Sequence, residues 1–297
     1  MNALPDGLLV LDKPGGMTSR AAVDRVLRWF PRRTRIGHTG TLDPLATGVL
    51  VMCLGSATRL AEYIQNMSKT YRTLLQLGAR SDTDDADGAI TAVPDAAVPD
   101  AATVAARVAE FVGVIPQVPP AYSAAKVTGR RAYDLARRGE EVPLSARPVS
   151  IHAIAVRHYA YPHLELEVHC GKGTYIRSLA RDLGERLGCG ALVQTLRRTR
   201  VGPFSADAAL TLDSDAETAR SHVLPVELAV AELPRLVLSE KDWKRLCHGQ
   251  SIAVAEVPEW ATTTREAAVF DTANRLIAVA MLDPNLKSLR PVKVLRS

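Results

Sequence analysis

The sequence has few cysteines and no long hydrophobic run. Its four cysteines stand far apart and form no Cys-x-x-Cys pair, so neither a zinc ribbon nor a dithiol redox motif is supported. We expect free thiols in a reducing compartment. No apolar stretch approaches the ~18 residues of a membrane span, and the N-terminus lacks the basic and apolar regions of a signal peptide. These absences predict a cytoplasmic protein without a membrane anchor.

The chain also lacks a strong excess of either charge. Its 297 residues carry a formal net charge of +5, and this length suffices for about two domains. Basic residues concentrate in segments 28–38 and 172–200, whereas segment 81–100 is acidic. Such alternation is typical either of a face that binds a polyanion or of an ordinary mixed surface. Charge alone leaves both interpretations open.

The most constrained stretch is 37–48, which reads Gly-His-Thr-Gly-Thr-Leu-Asp-Pro-Leu-Ala-Thr-Gly. It holds one acidic residue, Asp43. Glycines allow a ligand or another backbone to approach closely, and Pro44 biases Asp43 away from the helical region. An apolar run of strand length, 49–54, follows. A turn in which Asp43 bonds to the backbone would explain the composition, but a carboxylate held at the lip of a buried strand also suits chemistry.

The 37–48 stretch resembles the catalytic loop of the TruB family of bacterial tRNA pseudouridine-55 synthases. The pattern of that family is close to Gly-His-Thr-Gly-x-Leu-Asp-Pro-x-Ala-x-Gly, and every defined position is present here. Other segments continue the resemblance between about residues 7 and 204: Lys13-Pro14-Gly15-Gly16, Lys69-Thr70-Tyr71-Arg72, 117–126, Gly173-Thr174-Tyr175-Ile176-Arg177 and 196–204.

The resemblance implies an isomerase that detaches uracil from C1′ of a uridine in the T loop of tRNA, rotates it and rejoins it through C5. No cofactor and no metal are expected. Asp43 would be the catalytic carboxylate, acting either as nucleophile or as base toward the sugar. Tyr71 would stack on the uracil, and the planar fork of Arg177 would pair with Asp43. The residues expected to bind the substrate RNA are His38, Tyr175, Lys13, Lys126, Arg130, Arg131 and Leu196. For Lys13, support of the catalytic loop is also expected.

Two further segments carry clustered charge. Segment 129–139 holds four arginines and Tyr133, which predicts a short basic helix suited to phosphate contact. In TruB proteins this region, here about 121–150, is an insert that clamps the RNA. Segment 82–88 reads Asp-Thr-Asp-Asp-Ala-Asp-Gly, but it fails the register of a calcium loop. We therefore predict a solvated acidic loop there.

The resemblance also implies an α+β fold, with a mixed, largely antiparallel central sheet flanked by helices and crossed by a cleft. Period-two alternation at 164–170 predicts a strand. Beyond residue 233 the chain turns to short β-rich runs, which resemble a small β-barrel of the PUA type. We expect a catalytic domain over 1–232, a PUA-like RNA-binding domain over 233–297, and a monomer whose partner is the T-arm stem-loop of tRNA.

Two alternatives from other functional classes stay open. A non-catalytic tRNA-binding or folding factor would share the basic segments but would not need Asp43. A hydrolase of N-glycosidic bonds commonly uses more than one carboxylate, and only one lies in a rigid motif here. Release of tritium from C5 of labelled uridine in tRNA, without free uracil, would select the isomerase.

Overall fold

The structure, a computed structural model, describes residues 6–123, 126–127, 130–136, 138, 143–254, 257–262 and 265–295. The strands are, in chain order, β1 (Gly7–Lys13), β2 (Ile36–His38), β3 (Thr47–Leu54), β4 (Lys69–Leu77), β5 (Ala79–Ser81), β6 (Ile90–Ala92), β7 (Gly113–Gln117), β8 (Lys126–Val127), β9 (Arg130–Arg131), β10 (Arg147–Ala160), β11 (His163–Cys170), β12 (Ala191–Val201), β13 (Phe204–Ser205), β14 (Arg235–Val237), β15 (Ile252–Ala253), β16 (Glu266–Phe270), β17 (Leu276–Asp283) and β18 (Ser288–Val294). The α-helices are α1 (Ser19–Val26), α2 (Ala61–Asn66), α3 (Ala101–Ala109), α4 (Ala132–Ala136), α5 (Ile176–Arg186), α6 (Ala216–Ser221) and α7 (Glu240–Cys247). Within these described ranges no helix has the length and apolar character needed to cross a bilayer.

The central sheet has the strand order β1-β3-β12-β4-β11-β10-β7, with β2 added beside β3 and β13 beside β12. Its neighbouring strands run antiparallel except for β3 and β12. That parallel pair is short, because only Arg197 with Thr47 and Arg198 with Gly48 are in register. The prediction of a mixed, largely antiparallel sheet is confirmed. The loop that carries Asp43 lies at the start of β3, next to this short pairing.

The two faces of the sheet are covered differently. On one face, α1, α3 and α5 pack over a core that includes Tyr71, Leu75 and Leu77 of β4. Their alternate spacing along β4 places their side chains on one face of the strand. On the other face of β1 and β3, a second core joins the sheet to α2 and to Phe270 of β16. Tyr71 and the Asp43 loop therefore lie on the side of the sheet that carries α5.

Local signals place the helix ends. The Oγ1 of Thr18 accepts a hydrogen bond from the backbone N–H of Ala21 at 3.1 Å, so Thr18 caps α1 as its type predicts. Ser239 caps α7 in the same way, and Gly249, with φ +80°, follows its end, which suits the left-handed conformation common there.

The C-terminal part forms a separate curled sheet with the order β14-β16-β17-β18-β15. Asn274, with φ +64°, lies in the turn between β16 and β17, where that conformation favours asparagine. Arg59 donates to the carbonyl of Val294 at 2.6 Å, which ties β18 to the N-terminal part of the chain. This half-barrel fits the PUA-like domain that was predicted. Its boundary at 232/233 stays a prediction.

The basic segment 129–139 differs from its prediction as a single helix. Arg130–Arg131 form β9, which pairs with β8, and the helix α4 covers only Ala132–Ala136. The single-helix prediction is wrong because so short a segment cannot distinguish a helix from a strand followed by a helix. Arg137 and the side chains of Lys126, Arg130 and Arg131 lie outside the described parts of the structure.

Candidate active site

The loop 39–46 holds Asp43 between β2 and β3. Ser19 fixes the loop from α1: its Oγ accepts from the N–H of Leu42 at 2.8 Å and donates to the carbonyl of Leu42 at 3.0 Å. A backbone bond from Ala46 to the Asp43 carbonyl closes the turn at 3.1 Å. The Asp43 side chain is 34% exposed. The carboxylate is therefore anchored through its backbone and still open to a substrate.

Lys13 supports this loop from inside. It is fully buried, and its Nζ donates to the carbonyls of Pro14 and Met17 at 2.8 Å each and of Pro44 at 3.4 Å. Burial lowers the pKa of Lys13 to about 8, against the attraction of Asp43. Lys13 is buried in this structure, and its expected contact with RNA stays a prediction. Its other expected role, support of the loop, agrees with these contacts.

Arg177, in the first turn of α5, reaches Asp43. Its side chain is 4% exposed, and its Nε lies 2.9 Å from Asp43 Oδ2 and 3.5 Å from Asp85 Oδ2. Both Nε contacts are ion pairs whose directions do not suit a hydrogen bond. The two terminal nitrogens donate to the carbonyls of Thr83 and Tyr122, each at 2.9 Å. The sequence led us to expect that the fork of Arg177 would pair with Asp43. In the structure only Nε contacts Asp43, and the two terminal nitrogens bind two other segments.

Asp85 is the second carboxylate of the site, and sequence reasoning missed it. Its side chain is 6% exposed, and its Oδ1 accepts from Thr83 Oγ1 at 2.6 Å and from the N–H of Asp87 at 3.1 Å. Burial raises the pKa of Asp85. The Thr83 hydrogen bond and Arg177 oppose this rise, and the negative charge of Asp43 adds to it. Two carboxylates therefore share one buried cation.

The prediction that 82–88 is a solvated loop is wrong for its central residues. Asp84 and Asp85 pair with Arg181 and Arg177, which stand four residues apart on α5, so their charges are neutralised away from water. One sequence signal could have indicated this pairing. Asp84 and Asp85 are two adjacent acids, and Arg177 and Arg181 are two bases that share one face of a helix. The distance in sequence between the two segments concealed it.

Tyr71 lies on β4, opposite Arg198 of β12, and is 9% exposed. Burial raises the pKa of its phenol; the guanidinium of Arg198 opposes this rise, and Asp43 reinforces it. Arg198 is itself buried. It donates from Nε to the carbonyl of Val49 at 2.7 Å and from Nη2 to the carbonyl of Gly40 at 3.0 Å. It therefore connects the strand beside Tyr71 to both ends of the Asp43 loop.

The remaining predicted residues surround this centre. His38 is half-buried at the end of β2, just before the loop. Tyr175 precedes α5, and the side-chain amide of Gln117 holds its backbone, accepting from its N–H at 2.8 Å and donating to its carbonyl at 3.1 Å. Leu196 is buried on β12 in the same core as Tyr71. The roles of these residues in RNA binding stay predictions.

The arrangement offers one accessible carboxylate beside a buried cation and a buried phenol. Such a site can act on a sugar while it keeps bulk water from a cleaved intermediate. Among the described residues, no three His, Cys, Asp or Glu side chains are grouped in a way that would hold a metal ion.

Two family models match consecutive parts of the chain. The N-terminal domain of the TruB family pseudouridylate synthases matches residues 28–176, and the C-terminal domain of tRNA pseudouridylate synthase B matches residues 177–231. The chain is 46% identical over 263 residues to a tRNA pseudouridine synthase B of Cereibacter sphaeroides, which covers 86% of each protein. It is 42% identical over 282 residues to that of Burkholderia mallei, covering 93% of this chain and 92% of the relative.

Among solved structures, a chain in the crystal structure of a Cbf5-Nop10-Gar1 complex superposes with a TM-score of 0.70 at 25% identity. The match covers 97% of this chain and 83% of that one. It therefore includes the central sheet as well as the C-terminal half-barrel.

Proposed function

The chain belongs to the TruB family and is an isomerase that converts uridine in tRNA to pseudouridine, and on that premise we propose that it modifies the uridine at position 55 in the T loop, with Asp43 as its catalytic carboxylate. The observation that carries this assignment is the contact of Asp43 with Arg177. An accessible carboxylate lies 2.9 Å from a buried guanidinium, at the place where β3 and β12 meet.

The net reaction moves one bond. The C1′–N1 bond breaks, a C1′–C5 bond forms, C5 loses its proton and N1 gains one. No atom comes from outside, so the protein needs to supply only binding, orientation and charge. Asp43 acts on the ribose, because a loop fixed at its backbone can present one carboxylate at a set position.

Tyr71 stacks on the uracil once the target nucleotide has left the stack of bases. Extrusion costs a few kcal/mol, and an aromatic ring offsets part of that cost by stacking on a base of any sequence. The burial of Tyr71 and the raised pKa of its phenol keep it neutral, as a stacking surface in an apolar cleft requires.

Arg177 orients Asp43 through the 2.9 Å contact of its Nε with the carboxylate. A guanidinium cannot lose its own proton, so it offers Asp43 a permanent positive charge. Its two backbone contacts fix the plane of the guanidinium. Asp85 competes with Asp43 for the same nitrogen, so it limits how closely Arg177 can bind Asp43.

RNA binding extends beyond the reaction centre. We assign clamping of the T arm to the insert at about 121–150, with Lys126, Arg130 and Arg131, and further RNA contact to the half-barrel over 233–297. His38, Tyr175 and Leu196 line the approach to the base. We also propose that the enzyme acts as a monomer and that it acts in the cytoplasm, where its tRNA substrate is found.

The test is tritium release from full-length tRNA whose uridines carry tritium at C5. The proposal expects release without free uracil, and loss of release when uridine 55 is replaced by cytidine. Asp43→Asn should abolish release while tRNA affinity stays within about tenfold, or ~1.4 kcal/mol. Asp24→Asn, at an exposed aspartate of α1, is the control and should react at the wild-type rate.

Other outcomes would select the alternatives. Free uracil among the products would indicate a hydrolase, and tight binding without release by the wild-type protein would indicate a binding factor. Near-normal release by Asp43→Asn would remove Asp43 from the mechanism.

A further inference from the structure

A second arginine lies one helical turn beyond Arg177. Arg181 is 26% exposed, and its three nitrogens all have partners. Nη1 donates to Asp84 Oδ2 at 3.1 Å, Nη2 to the carbonyl of Val118 at 2.9 Å, and Nε to Asp182 Oδ1 at 2.9 Å. None of these partners belongs to the Asp43 loop. Arg181 is thus close to the reaction centre without contacting it.

Arg177 and Arg181 bridge the same two segments. Arg177 donates hydrogen bonds to Thr83 in segment 82–88 and to Tyr122 in segment 117–123. Arg181 likewise donates to Asp84 in segment 82–88 and to Val118 in segment 117–123. The carbonyl of Val118 also accepts from Ser178 Oγ at 2.7 Å. Each arginine therefore cross-links α5 to both segments. The inner cross-link, made by Arg177, also reaches Asp43, and the outer one, made by Arg181, does not.

Asp84 has an unusual backbone conformation, with φ +61°. A residue other than glycine adopts this region at an energetic cost, and retains it where its surroundings hold it. Three contacts hold Asp84: the ion pair to Arg181, a backbone bond from Val193 to the Asp84 carbonyl at 3.1 Å, and a bond from the Asp84 N–H to the carbonyl of Ser81 at 3.3 Å. Of these, only the ion pair involves the Asp84 side chain. The turn at Asp84 directs the carbonyl of Thr83 and the carboxylate of Asp85 toward Arg177.

We propose that Arg181, acting through Asp84, is a positioning residue for the reaction: it sets the orientation of Arg177 toward Asp43 and thereby the rate of the chemical step. The proposal rests on the roles assigned above to Asp43 and Arg177. Arg181 pairs with Asp84 and Asp182 and not with Asp43, so it acts on the reaction through Arg177. Without the outer cross-link, the Asp84 turn relaxes, and Asp85 and Thr83 no longer hold the guanidinium in the plane that favours Asp43.

Several charged groups face this array. Lys13, Tyr71 and Arg198 surround Asp43, and Asp84, Asp85 and Asp182 surround the two arginines. A change at residue 181 leaves the first three in place. A shift in the pH dependence of the rate would therefore report on the contact between Arg177 and Asp43.

The experiment measures the single-turnover rate against pH with tRNA binding saturated. Arg181→Gln is expected to lower the rate about tenfold, equal to ~1.4 kcal/mol, to leave the Kd for tRNA within twofold, and to move the acid limb to higher pH. Arg181→Lys should restore part of the rate, since an ammonium group can reach Asp84. Arg186→Gln is the matched control on the same helix, because Arg186 pairs with Glu110 away from the site.

A double-mutant cycle tests the route through Asp84. Asparagine tolerates the left-handed conformation, so Asp84→Asn removes the charge of residue 84 and leaves a side chain that suits its backbone conformation. The proposal expects Asp84→Asn to match Arg181→Gln and the double variant to be no slower than either one. Multiplicative losses, or an Arg181→Gln variant that melts earlier but keeps the wild-type rate and pH profile, would overturn it. The wild-type protein must release tritium and Asp43→Asn must not, which tests the proposed function separately.

Discussion

Arg177 lies between the carboxylates of Asp43 and Asp85, and its positive charge separates these two negative groups. Its Nε lies within 3.5 Å of oxygens from Asp43 and Asp85, and burial already raises the pKa of Asp85. If the cation is removed, two negative groups face each other in a water-poor cleft. Like charges at this range favour the uptake of a proton by the pair.

Arg177→Met should therefore reduce activity most at low pH. Arg177 opposes the rise in the pKa of Asp85, so its removal lets Asp85 take up a proton at higher pH. The acid limb of the rate profile then moves upward, and activity partly recovers as pH rises. Adding Asp85→Asn to this variant should move the limb back, because the second carboxylate is gone. Single-turnover rates against pH, at saturating enzyme, measure both effects. A loss by the same factor at every pH would mean that Arg177 orients groups without setting their charge.

The residues of the site differ in how visible they are in the sequence. Asp43 stands out because a long local motif surrounds it, and Arg177 because a shorter motif surrounds it. Asp85 and Arg198 depend on partners more than 90 residues away, so no local pattern identifies them. The burial of Lys13 is likewise a tertiary property, since a lysine after a short strand is usually solvated.

At the level of elements, β3 and β12 approach each other closely at Gly48. Gly48 has φ +100°, and a Cβ built there would lie 2.1 Å from the carbonyl oxygen of Arg198. Backbone cannot move aside as a flexible side chain can. This contact therefore requires glycine at the end of the catalytic loop.

Gly48→Ala should destabilise the protein by about 3 kcal/mol or more, through both the left-handed backbone and overpacking. Gly16→Ala is the matched control, because Gly16 also has a positive φ, +77°, but nothing lies within 4 Å of the added carbon. The control should cost only about 1 kcal/mol. Urea unfolding of both variants gives the comparison, and equal losses would contradict a role for close packing at β3 and β12.

The paired strands β8 and β9 and helix α4 form the basic element of the insert. We expect its arginines to contact phosphates, so neutralising Arg130, Arg131, Arg137 or Arg138 singly should weaken binding equally for different RNA sequences. The slope of log K against log[salt] should fall by up to about one unit for each. Arg107→Gln on α3, where Arg107 pairs with Glu110, serves as the control. A slope that does not change would place the insert away from the RNA.

Elements with clear periodicity were predictable, and short ones were not. The alternation at 164–170 predicted β11, which the structure places at His163–Cys170. The strand pair β8 and β9 escaped prediction because two-residue strands have no period to detect. The pairing of β3 with β12 could not be foreseen either, since it joins residues 47–48 to 197–198.

At the scale of the whole molecule, the C-terminal half-barrel shares a core with the catalytic sheet. Phe270 of β16, which is 6% exposed, belongs to the same cluster as Leu8 and Val49. The composition change near residue 233 indicated a second unit, but it gave no sign that this unit covers one face of β1 and β3. We therefore expect the two parts to unfold together.

Phe270→Ala should lower the free energy of unfolding by about 3–5 kcal/mol while calorimetry still shows one transition. Val237→Ala is the control on the neighbouring strand, because Val237 is 56% exposed, and it should change stability by less than about 0.5 kcal/mol. Two separate transitions, with only one shifted by Phe270→Ala, would show that the half-barrel is an independent domain.

The position of β12 in the sheet affects how the protein folds during its synthesis. β12 fills the gap between β3 and β4, which precede it by more than 100 residues. Until ribosomes have made this strand, the nascent chain has two open strand edges and lacks Arg198. Pairings of such long range form slowly. Pairing of β12 joins β3 to β4 and brings Arg198 beside the Asp43 loop, so no activity should appear during synthesis before this strand has been made and inserted.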